Sequence, residues 1–212
     1  MVSEIQVLMP IGTEEIHLVV KSKGTINSFA NLDNPNVKVA IGSTNTGTYL
    51  TAKMIKKLTK GKWIEKEVGF KTAIKLLLDN KIDAFFFVGA TPIEKFKIFS
   101  RLAPHIKKSI KLVPIEDERL NKYYSKISIK KGSYRWANYE VKTYAVKSVL
   151  ATTIRGETNS QREQLVQILT DIKKNITTLK KNGHNQWKHV NFNFSNVNWE
   201  IYEGSIEVFQ IE

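Results

Sequence analysis

The chain of 212 residues has no cysteine. Disulfides, thiolate nucleophiles and thiolate metal sites are therefore excluded. A cysteine-free chain suits cytosol and periplasm equally, so this absence does not place it. No stretch approaches the roughly 18 consecutive apolar residues that a membrane helix needs. Residues 1–11 carry no basic n-region and no long apolar h-region, so they do not read as a signal peptide. Either the protein is cytosolic or the segment that addresses it is absent here. There are only four histidines, His17, His105, His184 and His189. They are scattered and read as surface residues; His184 and His189 are five apart, out of metal-binding register on a helix. No Ser/His/Asp set and no pair of tuned carboxylates stands out, so the chain does not read as an enzyme and no cofactor is implied. Repeats and low-complexity tracts are also lacking.

What remains is an ordinary globular composition, 42% hydrophobic and 25% charged, with ample length for a core. Net charge is +13, which raises nucleic acid as a partner. The lysines read instead as solvated helix faces: Lys53, Lys56, Lys57, Lys60 and Lys62 on one helix, Lys173, Lys174, Lys180 and Lys181 on another. No RNA-binding aromatic motif, zinc-finger spacing or helix-turn-helix accompanies them, so nucleic acid is not the expected partner.

Strand and helix patterns alternate. Residues 37–41 form a β-branched run ending at Gly42. A helix follows with Leu50, Met54, Ile55 and Leu58 on its inner face and Gly61 as its stop. Residues 73–78 predict a second helix. The run 83–88 reads as a strand buried on both sides. Pro92 suits the first position of a third helix, with Ile93, Phe96 and Phe99 inward. Residues 110–115 predict a strand, 116–124 a short helix, and 126–130 and 141–152 extended segments. Ser160 and Glu163 make a capping box for a helix over 161–181, whose stripe is Leu165, Leu169, Ile172, Ile176 and Leu179, with Gly183 at its end. The tail from His184 is aromatic-rich and irregular. Such alternation predicts a mainly parallel sheet flanked by helices.

The sharpest local feature is Gly42-Ser43-Thr44-Asn45-Thr46-Gly47-Thr48, between a buried strand and a helix. The first turn of a helix leaves backbone N–H groups unpaired and carries partial positive charge. Glycines admit close approach, and four hydroxyls add donors, so a carboxylate or phosphate fits. The plain alternative is a well-capped strand–helix turn. The spacing resembles a phosphate-binding Gly-x4-Gly-Lys-Ser/Thr loop, but Thr48 stands where the lysine should, which argues against nucleotide hydrolysis. Gly89-Ala90-Thr91-Pro92 has the same setting, and in open α/β sheets ligands sit beyond the carboxyl ends of strands. Two such loops on neighbouring strands would face one cleft. Gly132-Ser133-Tyr134 could present the Tyr134 ring to a ligand, although a core or surface tyrosine at a turn is commoner; Trp136 has the same status.

In its ordered series of motifs the chain resembles the TAXI family, the solute-binding proteins of one branch of TRAP transporters. The run 15–20 and then Ile26-Asn27-Ser28 to Asn31-Leu32 are similar to the family's first strand and I-x-S-x-x-D-L helix. Val39 to Thr48 resembles its V-x-V-G-x-P-x-S-G-T loop, 73–89 its A-x-x-x-L to I-D-A-F-F stretch, and 112–134 its run ending in I-P-x-G-x-Y; 143–152 resembles its return strand. The resemblance implies a type II periplasmic-binding-protein fold of two α/β lobes, one at 21–140 and the other from 1–20 with 141–212. It implies a periplasmic receptor that captures a small carboxylate or amino acid, such as glutamate, and passes it to a TRAP-type membrane permease. Three departures stand out. Thr44 and Asn45 replace the loop's proline and glycine, and Asn tolerates the left-handed conformation the turn needs. Asn31 replaces the helix motif's aspartate. The family's N-terminal region has no counterpart, so the first lobe is expected to be incomplete and to self-associate over its uncovered apolar surface.

Overall fold

A computed structural model of the protein describes residues 4–101, 109–195 and 197–211. His105 lies outside them. The chain divides into two compact units, one of residues 14–146 and the other of residues 1–13 with 147–212. Two long strands, β1 (Ile5–Lys21) and β7 (Val141–Thr153), contribute residues to both.

In the larger unit β2 (Lys38–Ala40), α1 (Gly47–Thr59), β3 (Ile64–Lys66), α2 (Phe70–Leu78) and β4 (Ala84–Gly89) follow in order. β2 pairs parallel with β3 on one side and with β4 on the other, as strands joined through helices must. The sheet order is β3-β2-β4-β1-β7-β6, with β5 (Ile110–Leu112) also on β1 and β6 (Ser125–Ile129) at the edge. β1 runs antiparallel to β4 and β5, and β6 antiparallel to β7. The parallel arrangement expected from the strand–helix rhythm is therefore confined to β3-β2-β4. β4 and β5, although joined through a helical segment, each pair with the antiparallel β1 rather than with each other, and the sheet is mixed.

Central strands are buried on both faces and sort their side chains by the two-residue period. Ile16, Leu18 and Val20 of β1 join Ala84, Phe86 and Val88 of β4 beneath Ala52 and Ile55 of α1. Val19 and Phe85 point the other way, toward Ala73, Ile74 and Leu77 of α2 and the phenylalanines Phe96 and Phe99.

Several elements differ from expectation for identifiable reasons. α1 buries Thr48, Thr51, Ala52, Ile55 and Thr59, while Leu50 and Met54 face solvent at 63% and 43% exposure. The helix is fastened by a polar contact, the Val88 N–H donating to Thr48 Oγ1 at 3.0 Å, which apolar patterning does not register. Its cap is Lys60 in the left-handed region (φ 50°) rather than Gly61. Gly61 has another task, since a Cβ there would lie 1.9 Å from the buried Trp63 ring. β3 was not expected because Glu65 and Lys66 beside a single isoleucine leave no period to read.

Pro92 precedes its helix: the Thr91–Pro92 peptide is cis, Glu94–Phe96 form a 3-10 turn, and α3 covers Lys97–Arg101. Ile93, Phe96 and Phe99 are buried as expected. The helix expected over 116–124 is only a 3-10 turn at Glu118–Leu120.

The smaller unit holds α4 (Asn159–Asn182), a 3-10 turn at Asn185–His189 and α5 (Glu203–Phe209). The capping box of α4 is formed by Thr158 and Gln161, one pattern upstream of Ser160 and Glu163. Both satisfy the S/T-x-x-E/Q rule; the helix extends to the earlier one and places Ser160 inside. Of the expected stripe only Leu169 is fully buried, and Leu165, Ile172 and Ile176 are partly covered around Leu8, Met9, Val190 and Tyr202.

Candidate functional site

Beyond the carboxyl ends of the parallel strands lies a cleft of about 800 Å³. Three stretches build it, each following one of these strands. The loop after β2 contributes Gly42, Ser43, Thr46, Gly47 and Thr48; the turn after β3 and the start of α2 contribute residues 68–73; the stretch after β4 contributes Glu94, Lys95, Lys97 and Ile98. Phe86, Phe87 and Val88 and the Glu14 side of β1 complete the lining.

The loop folds as it does for local reasons. Gly42 has φ +90° and Asn45 φ 64°, conformations that glycine and asparagine adopt at least cost. Thr46 caps α1: its Oγ1 accepts from Tyr49 N–H at 3.2 Å and donates to the Ser43 carbonyl at 2.7 Å. Thr48 Oγ1 is held by Val88. Thr44 Oγ1 is directed at Glu67, 3.5 Å from Oε2. Of the four hydroxyls, only that of Ser43 has no hydrogen-bond partner among the described residues. It approaches α2 so closely that a Cβ at Gly69 would lie 3.1 Å from Ser43 Oγ. Gly69 is the N-cap of α2 and supplies no side-chain cap. Two helix N-termini thus open on one cleft, each with first-turn amides that have no intrahelical acceptor. Around them stand Lys71, Lys95 and Lys97, and also Glu14 and Glu94. Glu94 is paired with Lys97 at 2.8 Å, so an anionic group can be gripped at the helix mouths while Glu14 receives a cationic one, with Phe70, Phe87 and Ile98 against an apolar body.

Thr44 and Asn45 are exposed and do not line the cleft. Gly89, Ala90, Thr91 and Tyr134 do not line it either. Gly89, Ala90 and Thr91 are half-buried, and Tyr134, only 5% exposed, presents no ring to a ligand. His17, expected at the surface, is fully buried. Its Nδ1 lies 2.9 Å from the Glu15 carbonyl, which can only accept, so Nδ1 carries the proton. Nε2 then accepts from Tyr134 O–H at 2.9 Å, while Tyr134 Oη accepts from Ile93 N–H at 3.1 Å. The Thr91 N–H donates to Glu15 Oε2 at 2.8 Å. Burial holds the imidazole down at about 4 and pushes the Tyr134 phenol up to about 12. A neutral, satisfied pair of this kind pins the loop after β4 to β1. The lining residues 68–73 and Glu94, Lys95, Lys97 and Ile98 were not anticipated; the only signal for the first was Gly69 ahead of an apolar helix.

Residues 1–189 match the NMT1-like family. The chain belongs to that family. An ancestral arginine-binding protein bound to arginine superposes on the NMT1-like chain with a TM-score of 0.51 at 16% identity, covering 86% of this chain and 64% of that one. This similarity is one of fold, a sheet flanked by helices as in periplasmic solute-binding proteins. Two further structures give a TM-score of 0.48. One comes from work on glutathione import through GshT and the cystine ABC importer TcyBC of Streptococcus mutans (14% identity, 90% of this chain, 65% of that one). The other is a putative periplasmic sulfonate-binding protein of an ABC transporter from Methylobacillus flagellatus (15%, 96% and 51%). The NMT1-like chain spans less than two thirds of the length of each of these three.

Proposed function

We propose that this chain is the ligand-holding part of an extracytoplasmic solute receptor that captures a small carboxylate or amino acid without transforming it. The observation that carries this reading is the meeting of two helix N-termini and the free Ser43 hydroxyl at one cleft. Backbone amides and a hydroxyl bind an anion, and nothing in that lining supplies a nucleophile with an adjacent base. The ligand carboxylate sits against Gly47, Thr48 and the first turn of α2, and an ammonium group, where present, turns toward Glu14. Periplasmic location follows from the function. The ordered motifs of the sequence favour the TAXI branch and a TRAP-type permease as the membrane partner. The half-covered core of the smaller unit favours self-association when the chain is on its own.

The test is a thermal-shift screen against L-glutamate, other amino acids and dicarboxylates, since a ligand that binds only the native state raises its stability. A ligand at about one hundred times its Kd adds about 2.7 kcal/mol. Stabilisation by at least one of them, confirmed by calorimetry and weakened in Ser43→Ala, is the expected result. The absence of any response, from this chain and from a longer form of it, would overturn the reading.

A further inference from the structure

The net positive charge of the molecule is confined to one unit. Residues 14–146 contain 25 Lys and Arg against 12 Asp and Glu, an excess of 13, while residues 1–13 and 147–212 contain 8 of each. Within the basic unit, exposed aliphatic side chains occur together with lysines. On α1 Leu50, Met54 and Lys57 are spaced four and three residues apart, so they share one face, and all three are exposed. Lys57 and Lys60 make no ion pair among the described residues. The adjoining flank of α1 is tied to β3: Lys53 and Lys56 pair with Glu65, and Lys56 Nζ donates to the Trp63 carbonyl at 2.7 Å. β3 forms one edge of the sheet; Ile64 and Lys66 on it and Lys62 just before it are exposed. Projecting aliphatic groups therefore stand beside the uncompensated amines of Lys57 and Lys60, while Lys62 lies 3.9 Å from Asp33 Oδ1, and the Lys53–Glu65 pair links the flank of the stripe to the strand.

We infer that the outer face of α1 and the β3 edge seat on an anionic lipid surface. Charge complementarity selects the partner: amines attract acidic headgroups, and Leu50, Met54 and Ile64 enter the boundary layer beneath them. A polyanion such as duplex DNA would use the lysines but has no place for the aliphatic groups. The inference does not depend on the identity of the cleft's ligand.

Co-sedimentation of the whole chain with vesicles tests it. One set is phosphatidylcholine alone; the other contains about 30% phosphatidylglycerol, each at about 50 mM and about 0.5 M NaCl, where screening differs severalfold. Binding is expected only to the anionic vesicles at low salt. Lys57→Glu with Lys60→Glu should weaken it by at least about tenfold, and Leu50→Ser with Met54→Ser should weaken it measurably with the charge unchanged. Thermal unfolding of both variants checks that they remain folded. Equal binding to neutral vesicles, pelleting unaffected by either double variant, or retention on duplex DNA without retention on vesicles would each overturn the inference.

Discussion

His17 illustrates how far a single residue departs from what its type implies. A lone histidine in a sequence reads as a surface group, yet here it is fully buried, and its burial is the largest cause of a pKa near 4. The unfolded chain, with an ordinary histidine near 6.5, binds the proton more readily than the folded one. Stability contributed by neutral His17 is therefore complete above about pH 6.5 and is lost as pH falls toward 4, by about 3 kcal/mol in all. Urea denaturation at a series of pH values should show this slope in the parent and lose it in His17→Gln. Tyr134→Phe leaves the Ile93 N–H unpaired in the interior and His17 Nε2 with only Thr91 Oγ1 at 3.4 Å, and should cost about 1–3 kcal/mol. Neither partner could be named beforehand, because a separation of 117 positions is bridged only by the fold.

At the scale of elements, patterning served best where burial is apolar and two-sided. The phenylalanine-rich strand β4 and the inward set Ile93, Phe96 and Phe99 were legible, as were the strand–helix position of the 42–48 loop and the left-handed Asn45. Patterning failed where polar contacts or single close approaches decide the outcome. Three of the five buried residues of α1 are threonines, so of the four apolar residues read as inward Ile55 and Leu58 do face the core while Leu50 and Met54 face solvent. The competing capping boxes of α4 separate cleanly by mutation. Thr158→Ala should lower stability by about 1 kcal/mol, and Ser160→Ala should have almost no effect; both are read by denaturant midpoint. Gly61→Ala should destabilise by about 1–3 kcal/mol, because the added methyl must displace the Trp63 ring. Of the three stretches that build the cleft only the one after β2 was legible. The second begins at β3, a strand of three residues whose pairing with β2, not its composition, makes it one.

Across the whole molecule the two units are built to different standards. The larger has two buried layers on either side of its sheet. The smaller has one cluster, in which most apolar members are only partly covered, and Ile168 on α4 is 50% exposed. Local opening follows burial, so amide exchange in α4 and α5 should be faster than in β2 and β4. Hydrogen-exchange mass spectrometry of the intact chain measures this; equal protection throughout would contradict it. The same incomplete cover predicts a concentration-dependent sedimentation coefficient, reduced when Ile168 is replaced by serine.

The committed hydroxyls of Thr46 and Thr48 have a consequence for anyone probing the cleft. If the grip is delivered chiefly by main-chain nitrogen, an alanine scan of the loop will look nearly silent outside Ser43, and a working receptor could be mistaken for an inert turn. Gly47 offers the way around this. Nothing lies within 4 Å of a Cβ placed there, and Thr46 before it is already extended, with ψ 153°, as a residue ahead of proline must be. Gly47→Ala keeps the nitrogen's hydrogen and Gly47→Pro deletes it with the helix start intact. The difference in affinity between those two proteins isolates one hydrogen atom of the backbone.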